Sequence, residues 1–396
     1  MKLIYDCIII GSGPAGLMAA IEASKSNKVL IIEKNSTSGK KLLITGGKRC
    51  NVTNFKSNSD FLDVVKYNKK YLYSAINKFG PKDIINFFEN GGVLLKEESD
   101  NKMFPKSDKS IGILNLLMSS VSKAEIKYNE IVNEITSGEI KTVKTNKGNY
   151  KAKNVIVATG GSSFKETGSS GDNLKFAKML NQPVVDIFPA ETGIVLSEKN
   201  NLAGTSLDNV NIYFDKSVSS GNLMFTHKGL SGESIMKLSE HIYKSDSKVV
   251  YIDLLPQFNE ENLIANLKCF DREKEVVTWL TSFFTKRFSA YLIDKLNLFC
   301  KVKQLTKKDQ EQLMMMLKKC KYIVSEVMPI DTAYVTGGGI DMNYIDSTSM
   351  ESKINKGIYF VGEALDIHGP IGGYNITLAL STGFLAGENI CKPKNL

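Results

Sequence analysis

A glycine-rich turn near the start of the chain constrains the fold more than any other feature of the sequence. An apolar segment, residues 5–10, predicts a strand that is buried on both faces. The turn, residues 11–16, follows it and leads into an apolar pattern with helical spacing. A second apolar strand, residues 29–32, ends in Glu33. The sequence therefore begins with a βαβ unit.

Each glycine of the turn has a separate physical role. Gly11 allows a tight turn, Gly13 allows a pyrophosphate to approach the backbone, and Gly16 allows the helix to pack closely on the strand. The N–H groups at the helix start attract phosphate, and Pro14 lacks only an N–H that would have no helical partner. Glu33, 20 residues after Gly13, is placed to accept hydrogen bonds from a ribose. The pattern predicts a dinucleotide site, and the alternative is a glycine-rich turn without a ligand.

Two further strand ends favour FAD over a nicotinamide dinucleotide. A separate NAD(P) domain would need a second Gly-x-Gly-x-x-Gly turn, and the chain has none. Glycines instead follow strands at Ala158-Thr159-Gly160-Gly161 and at Val361-Gly362-Glu363, where Glu363 can accept hydrogen bonds from the ribityl hydroxyls. Gly372-Gly373-Tyr374-Asn375 opens the last predicted helix, whose N-terminus can stabilise negative charge on a reduced flavin. Taken alone, this last stretch could also be an ordinary glycine-rich helix entry.

Length and composition set the class of protein. The 396 residues suggest two to three domains at roughly 150 residues each, and 42% hydrophobic with 23% charged residues are typical of globular proteins. No apolar run approaches the ~18 residues that a membrane helix needs, and Asp6 interrupts the apolar start, so neither a membrane span nor a signal peptide is expected. Six cysteines without paired spacing favour a reduced, cytoplasmic setting, and only three histidines argue against a metal centre.

Positive charge is concentrated in one segment. The chain has a net charge of +9, and +7 of it lies between Lys286 and Lys321, where ten Lys or Arg residues accompany three acidic ones. Such a block can attract a nucleic-acid phosphate backbone. It can equally be a solvated helical face, and the chain has only three arginines, the better bidentate phosphate ligand. Both interpretations stay open.

The middle of the chain interrupts the α/β pattern. Residues 190–253 contain short strands with Gly, Ser and Asn turns, residues 260–325 have helical, lysine-rich spacing, and the α/β pattern returns after about residue 332. We therefore predict one nucleotide domain formed by residues 1–189 and 332–396. Residues 190–331 would form an inserted cap.

Three longer motifs carry a resemblance to a known family. They are residues 46–54, 223–232 and 362–375, which read GGKRCNVTN, LMFTHKGLSG and GEALDIHGPIGGYN. Together they resemble the aminoacetone-oxidase-like flavoproteins, a bacterial family also labelled bile-acid-pathway flavoproteins and ribosomal RNA dihydrouridine synthases. The resemblance covers nearly the whole chain. It implies an α/β fold, an FAD-binding Rossmann domain of glutathione-reductase type with an inserted β-barrel over about 190–255 and a small helical subdomain over about 256–331.

The resemblance also implies which residues line the cofactor. Those that match cofactor positions of the family are Gly11, Gly13, Ala15, Gly16, Glu33, Lys34, Lys41, Val132, Ala158, Thr159, Gly160, Glu363, Asn375 and Ile376. Neighbours in the same motifs are expected at the cofactor as well, namely Ser12, Pro14, Arg49, Asn51, Gly161, Gly362, Gly373 and Tyr374. Val132 belongs to a predicted strand over residues 126–135. The chain departs from the family at Gly372, which Pro370 and Ile371 precede, and this affects the expected shape of the loop near the flavin ring.

Few side chains are candidates for proton transfer to a substrate. Cys50 follows Arg49, whose charge could lower the pKa of the thiol. His227 lies in a Thr-His-Lys-Gly turn of the insert, where a cap could lower it over a flavin, and His368 lies beside the Gly372 turn. We treat Cys50, His227 and His368 as candidate catalytic residues. The alternatives are a small buried cysteine and hydrogen-bonded structural histidines.

These features together predict an FAD-dependent oxidoreductase. The leading hypothesis rests on the resemblance and on the basic segment, and is NAD(P)H-driven reduction of uridine to dihydrouridine in large-subunit ribosomal RNA. NAD(P)H would dock transiently, and the RNA would bind between Lys286 and Lys321. One alternative is a small-molecule enzyme that oxidises amines such as aminoacetone or reduces unsaturated steroid-like acids. Another is an FAD-containing binding protein on the ribosome. The sequence does not determine an oligomeric state.

Overall fold

The computed structural model describes residues 4–65, 67–121 and 123–391 of the chain. The strands are β1 Ile4–Ile10, β2 Val29–Ile32, β3 Thr53–Asn54, β4 Leu95–Glu98, β5 Lys102–Pro105, β6 Glu125–Lys127, β7 Val132–Thr136, β8 Lys141–Thr145, β9 Asn149–Val157, β10 Val184–Ala190, β11 Ile194–Leu196, β12 Ser206–Phe214, β13 Ser217–Phe225, β14 Gly229–Ser231, β15 Val249–Asp253, β16 Cys320–Val327, β17 Val335–Ile340 and β18 Ile358–Phe360. The helices are α1 Pro14–Ala23, α2 Lys40–Lys48, α3 Asn58–Val64, α4 Tyr73–Lys78, α5 Pro81–Asn90, α6 Ser110–Ser120, α7 Asp172–Met179, α8 Glu233–Lys244, α9 Glu260–Cys269, α10 Val276–Leu280, α11 Lys286–Leu296, α12 Lys307–Lys318 and α13 Tyr374–Cys391.

The chain divides into two compact units. The first contains the residues up to 188 and those from 330 onward, and the second contains residues 189–329. The first unit is therefore discontinuous in sequence, and the second is an insertion into it.

A seven-stranded sheet forms the centre of the first unit. Its order is β6–β2–β1–β9–β8–β7, and β18 pairs with the second half of β9. Strands β1, β2, β9 and β18 run parallel to one another, so their carboxyl ends meet at one edge of the sheet. Every residue of β2 is buried, as its continuous apolar run predicts. The predicted strand over residues 126–135 is wrong in one respect, because two strands, β6 and β7, occupy it.

Small residues let the last helix pack closely on the first. A Cβ added at Gly383 of α13 would lie 2.3 Å from the backbone oxygen of Ala15 in α1, and one added at Gly387 would lie 2.5 Å from that of Ala19. The two helices thus touch backbone to backbone on one face of the sheet. Because α1 begins at the glycine-rich turn, this packing fixes the direction of its N-terminus.

The second unit is built around a closed barrel. Its six strands have the order β11–β14–β13–β12–β15–β16, and alternate residues such as Val210, Ile212 and Phe214 point into the buried core. Helices α9 to α12 lie between β15 and β16 in the sequence and bury Trp279, whose Nε1 donates to Asn266 Oδ1 at 2.8 Å.

The expectation of helix as far as residue 325 is wrong, because residues 320–327 form β16. Cys320, Tyr322 and Val324 are buried while Lys321 and Ile323 are exposed, which is the two-residue period of a strand. This strand closes the barrel. With that change, the predicted Rossmann-type domain with an inserted barrel and helical elements is confirmed. None of the helices in the described residues is long and apolar enough to cross a membrane.

Candidate cofactor site and active site

A cavity of about 440 Å³ opens at the carboxyl edge of the parallel strands in the first unit. The ends of β1, β9 and β18 reach it, as do the first residues of α1, α2 and α13. This edge is where ligands bind in open α/β sheets. Helix N-termini carry free N–H groups and a partial positive charge, so the cavity suits a ligand with phosphates.

The three glycines of the turn meet the demands that a dinucleotide makes. Gly11 has φ +100°, and a Cβ there would lie 2.5 Å from the Ala158 oxygen. A Cβ at Gly16 would lie 2.0 Å from the Gly11 oxygen, which is too close for any side chain. A Cβ at Gly13 would meet no protein atom within 4 Å, because it would point into open space at the cavity wall. That space is what a pyrophosphate beside Gly13 requires.

Glu33 holds the glycine-rich turn in place from the end of β2. Its Oε2 accepts hydrogen bonds from the backbone N and Oγ of Ser12 at 2.8 and 2.7 Å, and its Oε1 accepts from the Asn35 N at 2.8 Å. The carboxylate is buried and lines the cavity. Oε1 keeps a further lone pair, so Glu33 can also accept from a ribose hydroxyl.

An ion pair joins α2 to the loop after β18. Lys41 Nζ lies 2.7 Å from Glu363 Oε2 and also donates to Ser163 Oγ at 2.7 Å. The other carboxylate oxygen, Oε1, accepts from the Thr336 N at 3.0 Å. Both charged side chains are largely buried and line the cavity. The pair therefore fixes Glu363 where a ribityl hydroxyl could reach it.

The side chains of this wall fit FAD. Thr159 Oγ1 is buried at the cavity and has no hydrogen-bond partner among the described residues, so a ligand atom can satisfy it. Glu33 would hold the ribose, Gly13 would face the pyrophosphate, and Glu363 would face the ribityl chain. Bound there, FAD would supply hydride chemistry at its ring.

The turn before α13 forms a further part of the cavity wall. Asn375 Oδ1 accepts from the Gly369 N at 3.0 Å, and its Nδ2 donates to the Gly369 oxygen at 2.8 Å, so this one side chain clamps the loop. Gly373 has φ +90°, and a Cβ there would lie 2.5 Å from the Thr53 backbone. Ile371 and Gly372 line the cavity at the same place, together with Lys102 of β5.

Cys50 does not have the environment that its sequence position suggests. The Arg49 guanidinium pairs with Glu98 at 2.8 Å and Asp108 at 3.3 Å, and lies 4.1 Å from the ring centre of Phe104. The thiol itself is fully buried, and burial raises the pKa of Cys50 to about 12. The expected lowering of its pKa by Arg49 is therefore wrong. A thiol in this state stays protonated at neutral pH and is not a nucleophile.

The two candidate histidines lie in different surroundings. His227 is an exposed residue of the turn between β13 and β14 in the second unit. His368 is buried in the first unit, where its ring stacks on Tyr67 at 4.8 Å and meets Phe188 edge-on at 5.8 Å. Neither histidine, nor Cys50, is among the described residues that line the cavity. Their catalytic roles stay predictions.

Most of the predicted cofactor residues do line the cavity. They are Gly11, Ser12, Gly13, Pro14, Ala15, Glu33, Lys34, Lys41, Asn51, Val132, Ala158, Thr159, Gly160, Glu363, Gly373, Asn375 and Ile376. Five are not among its lining residues, namely Gly16, Arg49, Gly161, Gly362 and Tyr374. Gly16 acts through packing, and Tyr374 is buried with its ring stacked on Phe61 at 5.0 Å.

Sequence reasoning missed several residues of the wall. Asn35 and Lys40 follow the second strand, and Asp172 begins α7 and binds Lys34 Nζ at 2.7 Å. Lys102 comes from the short β4–β5 hairpin, and no local sequence pattern indicates that this hairpin reaches the cavity.

The family comparison agrees with this geometry. The HI0933-like protein Rossmann domain matches residues 5–389. The chain belongs to the HI0933-like family. This match confirms the resemblance stated from the three motifs. The chain is an FAD-dependent oxidoreductase.

Two curated relatives match the HI0933-like chain over nearly its full length. The ribosomal RNA dihydrouridine synthase of Escherichia coli (strain K12) is 27% identical, with 99% of each chain covered. The 3-dehydro-bile acid delta(4,6)-reductase of Clostridium scindens is also 27% identical, over 96% of this chain and 97% of the relative.

A solved structure shows that the fold of this HI0933-like protein occurs in more distant enzymes. The 3-ketosteroid delta1-dehydrogenase from Sterolibacterium denitrificans has a TM-score of 0.52 and 13% identity, with 98% of this chain and 99% of that chain covered. At this identity the likeness concerns the fold alone.

Proposed function

We propose that this protein reduces a carbon–carbon double bond conjugated to a carbonyl group, with uridine in ribosomal RNA as the substrate. The observation that carries the proposal is the pair of full-length relatives. Their names describe different substrates, an RNA base and a bile acid, but the same kind of bond. In uracil the C5–C6 double bond is conjugated to the C4 carbonyl, and in a 3-oxo-delta(4,6) steroid the diene is conjugated to the C3 carbonyl.

The reaction balances with a nicotinamide donor. NAD(P)H gives two electrons and one hydrogen nucleus, water or an acid gives one proton, and the double bond gains two hydrogens. FAD, when bound, supplies the hydride to the substrate carbon. The chain must bind the substrate, exclude water from the cavity and polarise the carbonyl so that the double bond accepts hydride.

Lys102 is the cavity residue that we propose for polarising the carbonyl. It lines the cavity beside Gly372, where a Cβ would lie 3.8 Å from the lysine Cε. Its Nζ lies 3.0 Å from Asp100 Oδ2, which steadies the side chain. A cation at this end of the cavity would stabilise the enolate oxygen that develops as hydride adds.

The second unit offers charge for an RNA partner. Of the ten basic residues between Lys286 and Lys321, six are exposed and form no ion pair among the described residues: Lys286, Arg287, Lys307, Lys308, Lys319 and Lys321. Lys318 is structural, because its Nζ pairs with Asp253 at 2.7 Å and donates to two backbone oxygens. These six exposed cations support binding to a phosphate backbone.

Nucleoside mass spectrometry of ribosomal RNA from a strain that lacks the gene tests the proposal. We expect one dihydrouridine to disappear and to return when the gene is restored. In the purified protein, the bound flavin should bleach with NADPH or NADH and recover its colour when unmodified ribosomal RNA is added.

A bile-acid-like dienone is the second candidate substrate, and the full-length match to the Clostridium scindens reductase favours it. The same bleached protein would then regain its colour with a 3-oxo-delta(4,6) steroid and not with RNA. Unchanged dihydrouridine in the deletion strain together with this result would make the steroid reaction the function.

A further inference from the structure

A row of residues crosses the outer face of the barrel. Strand register places Val218 of β13 opposite Tyr213 of β12, Tyr213 opposite Tyr251 of β15, and Tyr251 opposite Lys321 of β16. Successive side chains of a strand point to opposite faces. In each of the four strands the neighbours of the named residue point into the barrel or lie in the turn, so the four named side chains share the outer face. Four neighbouring strands make the row about 15 Å long. We call this row, with Lys319, the barrel face.

The barrel face is open and combines rings with cations. Val218 is 56% exposed, Tyr213 is 38% exposed and Tyr251 is partly buried. Lys319 Nζ lies 5.0 Å from the ring centre of Tyr251, and Lys321 is exposed beside it. Both lysines belong to the segment that holds most of the net charge of the chain.

The acidic groups near the barrel face do little to cancel this charge. Asp253, two residues after Tyr251, is buried and paired with Lys318 at 2.7 Å. Asp215 lies in the β12–β13 turn, accepts from Ser245 Oγ at 3.0 Å, and has Lys216 as its neighbour. The surface around the two tyrosines therefore keeps a positive potential.

We propose that the barrel face binds a single-stranded segment of RNA. Flat rings side by side on adjacent strands can stack unpaired bases, and the lysines at one end of the row can contact the phosphates between them. A duplex would hide its bases from Tyr213 and Tyr251 and would contact the lysines alone. The inference rests on the proposed RNA substrate and adds the place and the form in which RNA is held.

Binding of a fluorescent 12-nucleotide oligouridylate and of a 12-base-pair RNA duplex to the full-length holoprotein tests the proposal. The double variant Tyr213→Leu/Tyr251→Leu keeps apolar bulk but removes the rings, and Tyr213→Phe/Tyr251→Phe keeps the rings. The control is Tyr243→Leu, since Tyr243 of α8 is 48% exposed and lies outside the row. Flavin content and thermal midpoint show that each variant is folded.

We expect the leucine pair to weaken single-strand binding at least tenfold and duplex binding less than twofold, with the phenylalanine pair and the control near wild type. Lys319→Ala/Lys321→Ala should weaken both RNAs and lower the salt slope for the single strand by about 0.7 per lost contact. If the leucine pair binds single-stranded RNA as tightly as the wild type does, the barrel face is not the RNA site. This result would leave the proposed RNA function standing. If the leucine pair loses equal affinity for the single strand and for the duplex, the tyrosine rings do not stack on unpaired bases. A wild-type protein that binds neither RNA, while it still reduces a steroid dienone, overturns the proposed RNA function as well.

Discussion

At Gly13 and Gly16 an added side chain would meet opposite surroundings. The Gly13 position faces open cavity space, whereas the Gly16 position faces the Gly11 oxygen at 2.0 Å. We expect Gly13→Val to leave the apoprotein folded and to abolish FAD retention, because the side chain would occupy the pyrophosphate space. We expect Gly16→Val to lower the thermal midpoint as well, because the backbone must move.

Flavin absorbance per protein and differential scanning calorimetry distinguish these two outcomes. A Gly13→Val protein that is yellow with full occupancy would contradict the placement of the phosphates. A Gly16→Val protein with wild-type stability would contradict the close packing of α1 on the backbone of Gly11.

The thiol of Cys50 should be inert in the folded protein. Its burial and its pKa of about 12 leave almost no thiolate at pH 8, and iodoacetamide cannot reach it. Cys269 is exposed and serves as the internal control. Peptide mass mapping should show alkylation of Cys269 but not of Cys50 in the native state, and of both after unfolding in guanidinium. Rapid native labelling of Cys50 would show that the segment around this residue opens in the folded protein.

Lys102→Met tests the proposed cation. The methylene stem is retained while the charge is lost, so we expect flavin content to stay near wild type and substrate reduction to slow by about 10²-fold. Flavin bleaching by NAD(P)H should change much less. Stopped-flow measurement of the two half-reactions separates them. Equal slowing of both would place Lys102 at the nicotinamide or the ring rather than at the substrate.

At the scale of elements, the Lys41–Glu363 pair couples α2 to the loop after β18. Glu363→Gln keeps the shape but places an amide N–H₂ or a neutral oxygen against the Lys41 ammonium. We expect FAD binding to weaken about tenfold, a free-energy change of about 1.4 kcal/mol. Fluorescence titration of the apoprotein with FAD measures it. Lys153→Met, which breaks a surface pair with Asp6 at 2.8 Å, should leave the affinity unchanged.

Elements with a strong local pattern could be predicted, and those defined by distant pairing could not. The β1–α1–β2 unit carries its apolar runs, glycines and Glu33 within 33 residues, so local physics determines it. Strand β16 follows four helices, and its alternation is short and mixed with lysines, so its place in the barrel depends on β11 and β15. Lys102 reaches the cavity because the β4–β5 hairpin packs there, a contact that no local signal encodes.

The same limit explains Cys50. The sequence places a cation next to it, but the direction of the Arg49 side chain depends on Glu98 and Asp108, about 50 residues away. Neighbours in sequence were therefore a poor guide to the pKa of the thiol. The Arg49 guanidinium belongs instead to a surface network of charged side chains, which also includes Lys96.

At the scale of the whole molecule, the second unit contains a complete barrel and its own core. All six barrel strands and the buried Trp279 lie within residues 189–329. We expect a fragment of these residues to fold alone and to unfold in one cooperative transition. Circular dichroism and tryptophan fluorescence should give coincident melting curves. A fragment without a transition would show that the barrel depends on the first unit.

The discontinuity of the first unit has a consequence for how the protein is made. Strand β18 pairs with β9, yet the ribosome adds about 200 residues between Val157 and Ile358. At ~5–20 residues per second that interval is about 10–40 s. Throughout it, half of the edge of β9 and the face of α1 that meets α13 have no partner. The nascent chain must therefore be kept from aggregating by other factors, and the flavin can enter a finished cavity only after the last helix has left the ribosome.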